Sequence, residues 1–220
     1  MLQELRLYEV VAGRTPDIAA RFEKLPALFS RHGIACRGHW HSLAGGNATT
    51  FVYLMEYADF AERDDRWGGF YVDADWHRLR AETNAGEEMV DRIDTLFLRP
   101  HRLATVPGEA APGLSELLVL KVSVGQQAVA DEFLEQFYLP RIAAAGGTVD
   151  MLSNVVSGCE MPAIAMKIGW PDAASWMDGR LALERSDELN SAIARQRREI
   201  GVPALAKAKS WLLHAPNAAS

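Results

Sequence analysis

Apolar and polar positions alternate from Leu5 to Val10, and again near Ala35–Leu43 and Thr50–Tyr57. Between them Ile18, Phe22, Leu25 and Phe29 recur at three- and four-residue steps. Period two predicts strands and the longer period predicts a helix with one apolar face. That helix is expected to open at Thr15 as N-cap with Pro16 in its first turn, and to kink or split at Pro26. "AGGN" after Leu43 reads as a hairpin loop. A second helix is expected from Asp59, with Glu62 completing a capping box. "WGGFYVDAD" should interrupt it, and a further helix should carry Trp76 and Leu79. A last strand, Arg92–Leu98, runs into Arg99-Pro100.

The pattern then repeats. "ELRLYEVVAGR" (Glu4–Arg14) and "ELLVLKVSVGQ" (Glu116–Gln126) are both alternating strands closed by a glycine. Each precedes a helical pattern broken by Leu-Pro, at Leu25-Pro26 and Leu139-Pro140, and then a glycine stop. Strands are expected near Leu117–Val124, Val149–Val156, Ala163–Trp170 and Ala208–His214, with Asp172 capping the helix that holds Trp176. "TVPGEAAPGL" (Thr105–Leu114) separates the halves as a proline- and glycine-marked linker. A strand-helix-strand unit occurring twice per half is the split βαβ pattern. Both strand faces are apolar: Leu5, Leu7, Val52 and Leu54 on one, Tyr8, Phe51 and Tyr53 with Arg6 on the other. Two sheets packed face to face would bury both.

Composition narrows the function classes. The net charge is −6 and both halves are acidic, so no basic field exists to hold a polyanion, and nucleic acid is not an expected partner. No apolar run approaches the ~18 residues that span a bilayer, so membrane insertion is not expected. Two cysteines, Cys36 and Cys159, support no disulfide framework. The N-terminus enters a strand pattern with no apolar leader core. The expected location is the cytoplasm.

"ELRLYEVVAGR", the Leu-Pro break, "RHG", "GHWHSLAG", "DADW" and "LFLRP", in that order, resemble the NIPSNAP family over Glu4–Pro100, and more weakly over Glu116–Pro216. The resemblance implies α+β architecture: two tandem ferredoxin-like (βαββαβ) domains, 1–104 and a diverged 115–216 joined by the linker 105–114, forming an α+β barrel within one chain. Further association into a homo-oligomer is compatible with it. Related barrels include cofactor-independent monooxygenases and share a pocket between sheet and helices. NIPSNAP members carry no agreed catalytic motif, so no catalytic residue transfers.

Candidate chemistry centres on "CRGHWHSLAGG". His39 and His41 point to one strand face. Acid/base work is the functional reading, since imidazole titrates near neutrality. Two half-buried strand histidines is the plain one. A metal would need further ligands, and Glu56, His32 and His77 sit at no diagnostic spacing; no metal or cofactor is expected. Arg6, Tyr8, Trp40, Tyr53, Trp67, Tyr71 and Trp76 are the candidate ligand-binding residues, with Gly68-Gly69 suggesting a flap over an apolar pocket. The same rings could simply cover the sheet or meet a partner protein. "VDMLSNVVSG" (Val149–Gly158), which corresponds to the histidine strand, has neither histidine nor tryptophan. A single functional pocket in the first half is therefore expected. Three functions follow: a pocket for a small apolar or aromatic metabolite; a cofactor-independent monooxygenase or isomerase with His39 or His41 as base; a non-catalytic interaction scaffold. Asn47 fits a glycosylation sequon by pattern alone.

Overall fold

The computed structural model describes residues 1–45, 49–104 and 113–215. The Asn47 sequon and all but the last two linker residues fall outside them. The chain divides into two compact units, Met1–Arg99 and Pro100–His214.

In the first unit the order is β1 (Leu2–Val10), α1 (Thr15–Arg31), β2 (Ala35–Ala44), β3 (Thr50–Tyr57), α2 (Phe60–Tyr71), α3 (Ala74–Asn84) and β4 (Val90–Pro100). β1 lies between β3 and β4, and β2 pairs with the far side of β3, all antiparallel. The register sets Arg6 opposite Tyr53 and Tyr8 opposite Phe51. Ile18, Phe22, Leu25 and Phe29 of α1 form one cluster with Trp67 and Phe70 of α2, Leu79 of α3, and Phe51, Tyr53, Met55 and Tyr57 of β3. Leu5, Leu7, Val52 and Leu54, on the alternate positions, are buried as well.

Local details depart from the expected pattern at two points, the cap of α1 and its continuity at Pro26, and refine it at a third. Arg14, not Thr15, occupies the N-cap of α1, and no side chain caps it. Pro26 sits inside a continuous α1, because the buried face on either side of it holds both flanks to the same cluster. Gly68-Gly69 does not interrupt α2, which runs to Tyr71. Two glycines cost a helix about 1 kcal/mol each, but Trp67 and Phe70 bracket them and pack on Phe29 at ring distances of 6.1 and 5.5 Å. The break expected within "WGGFYVDAD" comes at its Val72-Asp73 step, where Asp73 caps α3 by accepting from the Asp75 amide at 2.8 Å. Asp59 caps α2 as expected, accepting from the Glu62 amide at 2.9 Å.

The second unit runs β5 (Leu114–Val122), α4 (Gln127–Phe133), a π-helical segment (Leu134–Tyr138), α5 (Leu139–Ala144), β6 (Thr148–Ser157), β7 (Ala163–Trp170), α6 (Ala173–Glu184), α7 (Asp187–Ile200) and β8 (Leu205–His214). β5 lies between β7 and β8, and β6 pairs with β7, the same order as in the first unit. The wider π turn immediately precedes Pro140, whose ring would otherwise meet the carbonyl four residues back. Asp172 caps α6 through the Ser175 amide at 2.7 Å. Among the described residues, no helix is long and apolar enough to cross a membrane.

Candidate functional site

The strand face that α1 and α2 cover is not uniformly apolar. β1 places Glu4, Arg6 and Tyr8 on it at successive alternate positions. Glu4 is fully buried, and four hydrogen bonds offset the cost of hiding its charge. Arg6 Nε donates to it at 2.7 Å, Arg63 Nε and Nη2 each at 3.0 Å, and Trp67 Nε1 at 3.2 Å. Burial pushes its carboxyl upward, but Arg63 and Arg6 outweigh that and hold it below the usual carboxylate value.

Arg6 is 5% exposed. Its Nη1 donates to the hydroxyls of Tyr53 and Tyr71, each at 3.2 Å. The guanidinium carbon lies 4.0 Å from the centre of the Trp67 ring, a cation–π contact. Desolvation works against the charge, but Tyr53, Tyr8, Glu4 and Tyr71 more than compensate, so Arg6 stays a cation throughout. Tyr53 in turn donates to the Tyr8 hydroxyl at 2.5 Å. Burial, and then Tyr8, push the Tyr53 phenol well above its ordinary range.

These groups form one end of a cavity of about 470 Å³. Phe22, Leu25, Phe29, Phe70, Trp67 and Trp76 supply its apolar walls, and Arg21, Arg80, Glu88, Asp91 and Arg92 also line it. Arg21 is anchored by Thr83 Oγ1 at 2.9 Å and Asn84 Oδ1 at 2.5 Å. An apolar chamber of this size with a few convergent polar groups is the usual form of a small-molecule site.

Of the residues the pattern singled out, Arg6, Tyr8, Tyr53, Trp67, Tyr71 and Trp76 meet around this cavity. Trp40, His39 and His41 do not. Trp40 projects from the opposite face of β2, and its ring lies over Gly38. A Cβ on Gly38, whose φ is +157°, would sit 2.8 Å from that ring, so the glycine before the tryptophan serves the strand. His39 is on the helix side, but Phe22 and Phe51 hold its ring at 5.3 and 5.6 Å. It lines a separate cleft with Cys36, Pro26 and Gly38. Burial lowers its pKa, which favours the neutral ring. His41 is buried against Phe51 at 4.9 Å. His32 pairs with Asp73 at 2.7 Å instead of approaching the strand histidines. Among the described residues, no group of three or more His, Cys, Asp or Glu side chains could hold a metal ion.

Glu4, Arg21 and Arg63 complete the polar network and were not among the expected residues. Glu4 had a legible signal, since it shares the alternation of Arg6 and Tyr8. Arg21 and Arg63 had none, because each lies on a helix whose rotation decides whether it points inward.

Residues 3–104 match the model of the NIPSNAP family. No curated protein matches the chain. Among solved structures, a NIPSNAP domain protein from Burkholderia xenovorans aligns at 20% identity and TM-score 0.42, covering 48% of this chain and 99% of that one. An anthrone oxidase-like protein aligns over 100% of this chain and 94% of its own, at 15% identity and TM-score 0.63. A candidate monooxygenase from Lactobacillus acidophilus NCFM covers 97% and 95%, at 8% identity and TM-score 0.55. The last two likenesses show a common fold.

Proposed function

We propose that residues 3–104, which match the NIPSNAP family model, form a ferredoxin-like domain that binds a small apolar or aromatic molecule in the cavity under α1 and α2. The observation that carries the reading is the chamber itself: about 470 Å³, walled by aromatic rings, with a buried, anchored arginine at one end. The test is a thermal-shift titration with an uncharged aromatic probe, 2-naphthamide. Binding to the folded state raises the melting temperature with probe concentration. Ile93 lines the cavity and is half exposed, so Ile93→Trp should plug the chamber without unfolding the domain and abolish the rise. A rise that persists unchanged in Ile93→Trp would place the binding elsewhere.

A second reading makes the same chamber catalytic. It is favoured by the donors at the arginine end, which would stabilise an enolate or phenolate formed during an oxygenation or isomerisation. Two structures of similar fold are named for oxidation. His39 or His41 as base would require the ligand to reach the neighbouring cleft. Turnover of a bound phenol that survives His39→Ala and His41→Ala would remove the histidines from that scheme.

A further inference from the structure

The direction of the hydrogen bonds at the arginine end specifies the charge of what the chamber takes. Arginine has donors only. Tyr53 and Tyr71 therefore accept hydrogen bonds from Arg6 Nη1 at 3.2 Å, and each still has its own O–H to place. Tyr53 is 1% exposed, and its one other partner is Tyr8, 2.5 Å away. Its proton goes there, because a sealed hydroxyl without an acceptor would cost about 1–3 kcal/mol. Tyr8 is thus already an acceptor, and its own O–H is left to point into the cavity it lines. Tyr71, also on the wall, has the same surplus. Among the described residues, none accepts from Nη2 of Arg6, and that nitrogen is not among the sealed, unpartnered atoms. The polar end therefore offers three donors, Nη2–H, Tyr8 O–H and Tyr71 O–H, against only the remaining lone pairs of the two phenol oxygens as acceptors.

Charge points the same way. The lining carries Arg6, Arg21, Arg80 and Arg92 against Glu88 and Asp91, in a chain whose net charge is −6. Arg80 is paired with Glu88 at 2.6 Å, Arg92 with Glu9 and Asp94 at 3.2 Å, and Arg6 Nε with Glu4 at 2.7 Å, which leaves Arg21, held by the neutral Thr83 and Asn84, as the lining cation with no carboxylate partner among the described residues. A neutral hydrocarbon would leave the Arg6 end unsatisfied. A ligand with its own donor would find only phenol oxygens to accept it and would leave Nη2–H of Arg6 without an acceptor.

We infer that the chamber selects an aromatic oxyanion, a carboxylate or phenolate whose oxygen sits between Arg6, Tyr8 and Tyr71 while its ring lies among Phe22, Phe70 and Trp76. The inference rests on the binding reading above and deepens it. Calorimetric titration of the intact chain with 2-naphthoate and with 2-naphthamide separates the two. The expected result is at least tenfold tighter binding of the carboxylate, falling to parity in Arg6→Gln and several-fold in Tyr8→Phe. The wild-type comparison decides the matter alone should Arg6→Gln fail to fold. Titrating 2-naphthol on either side of its ionisation tells a phenolate site from a carboxylate site. Equal affinity for naphthoate and naphthamide, with no gain on ionising the naphthol, overturns the oxyanion inference and leaves the pocket standing. No binding of any probe ends both.

Discussion

Each unit buries a glutamate at the same point of its first strand, and the two glutamates live under opposite conditions. Glu4 receives four hydrogen bonds from Arg6, Arg63 and Trp67. Glu116, 3% exposed, has Arg180 at 3.8 Å, and its Oε2 has no hydrogen-bond partner. The helices above explain the difference. Counting from the capping Asp59 and Asp172, the fourth and eighth positions hold arginine then tryptophan in α2, Arg63 and Trp67, and tryptophan then arginine in α6, Trp176 and Arg180. The order in α2 brings both side chains to the carboxylate. The reversed order leaves the Trp176 Nε1 buried and unpartnered. Where the first unit sets Arg6 against Tyr53, the second sets Leu118 against Met166. Leu118, Leu120 and Met166 join one apolar cluster with Phe133, Ile142 and Leu183. The same strand order carries a polar-ended chamber in one unit and an apolar cluster at the matching positions of the other, so the chamber's polar end belongs to side chains rather than to the fold.

The sharpest way to break that contrast is to neutralise each glutamate in turn. Glu4→Gln removes the shared partner of two buried arginine contacts. Loss of one member of a buried ion network costs about 3–5 kcal/mol, and denaturant melts should show it. Glu116→Gln removes a charge whose closest pairing is long and whose Oε2 is already unsatisfied, so the change should stay within about 1 kcal/mol. Equal losses would mean that the two glutamates do the same work. The pH dependence adds a sign. Because the folded carboxyl of Glu4 titrates below its unfolded value of about 4.5, its stabilisation is complete above that pH and is lost as pH falls through the folded value. Acid melts of Glu4→Gln should lack that component.

Much of this contrast was legible in the sequence. The alternation of Leu5–Val10 and Leu117–Val124 and the capping aspartates located the strands and helices, whereas the missing histidine of the second half concerned residues that lie away from the chamber. Six of the nine candidate residues converge on one chamber because strand alternation and aromatic spacing both report the helix-covered face. The histidines drew the eye for their chemistry. Period two puts them on the correct face, but it does not say that Phe22 and Phe51 enclose one of them on the far side of α1. By the same rule Trp40 falls on the other face, since His39 beside it is on the helix side. Helix continuity through Pro26 and Gly68-Gly69 was hidden because tertiary burial of Trp67, Phe70 and Phe29 overrides local propensity.

Packing density offers a second comparison of smaller size. Gly179 of α6 is where the Trp170 ring passes: a Cβ there would lie 2.2 Å from the ring. Gly179→Ala should cost about 1–3 kcal/mol by overpacking. Gly68 of α2 has nothing within 4 Å of such a Cβ. Gly68→Ala should therefore stabilise by about 0.5–1 kcal/mol through helix propensity. The same substitution with opposite signs, read from paired thermal melts, would confirm that only the second unit is packed to its limit along this helix. A destabilised Gly68→Ala would reveal a close contact or a needed bend in the chamber wall.

The smallest effect concerns His39. Its folded pKa is lowered by burial from the ordinary 6.5, so between those two values the unfolded chain binds more protons than the folded one. Stability is then full above about pH 6.5 and declines as pH falls through the folded value. His39→Phe would fit between Phe22 and Phe51 and cannot titrate. Its melting temperature should change less between pH 7.5 and 5.5 than that of the wild type. If instead His39→Phe keeps the wild-type slope and lowers turnover of a bound substrate, the imidazole is exchanging protons with a ligand, and the cleft it lines with Cys36 and Pro26 is part of the site.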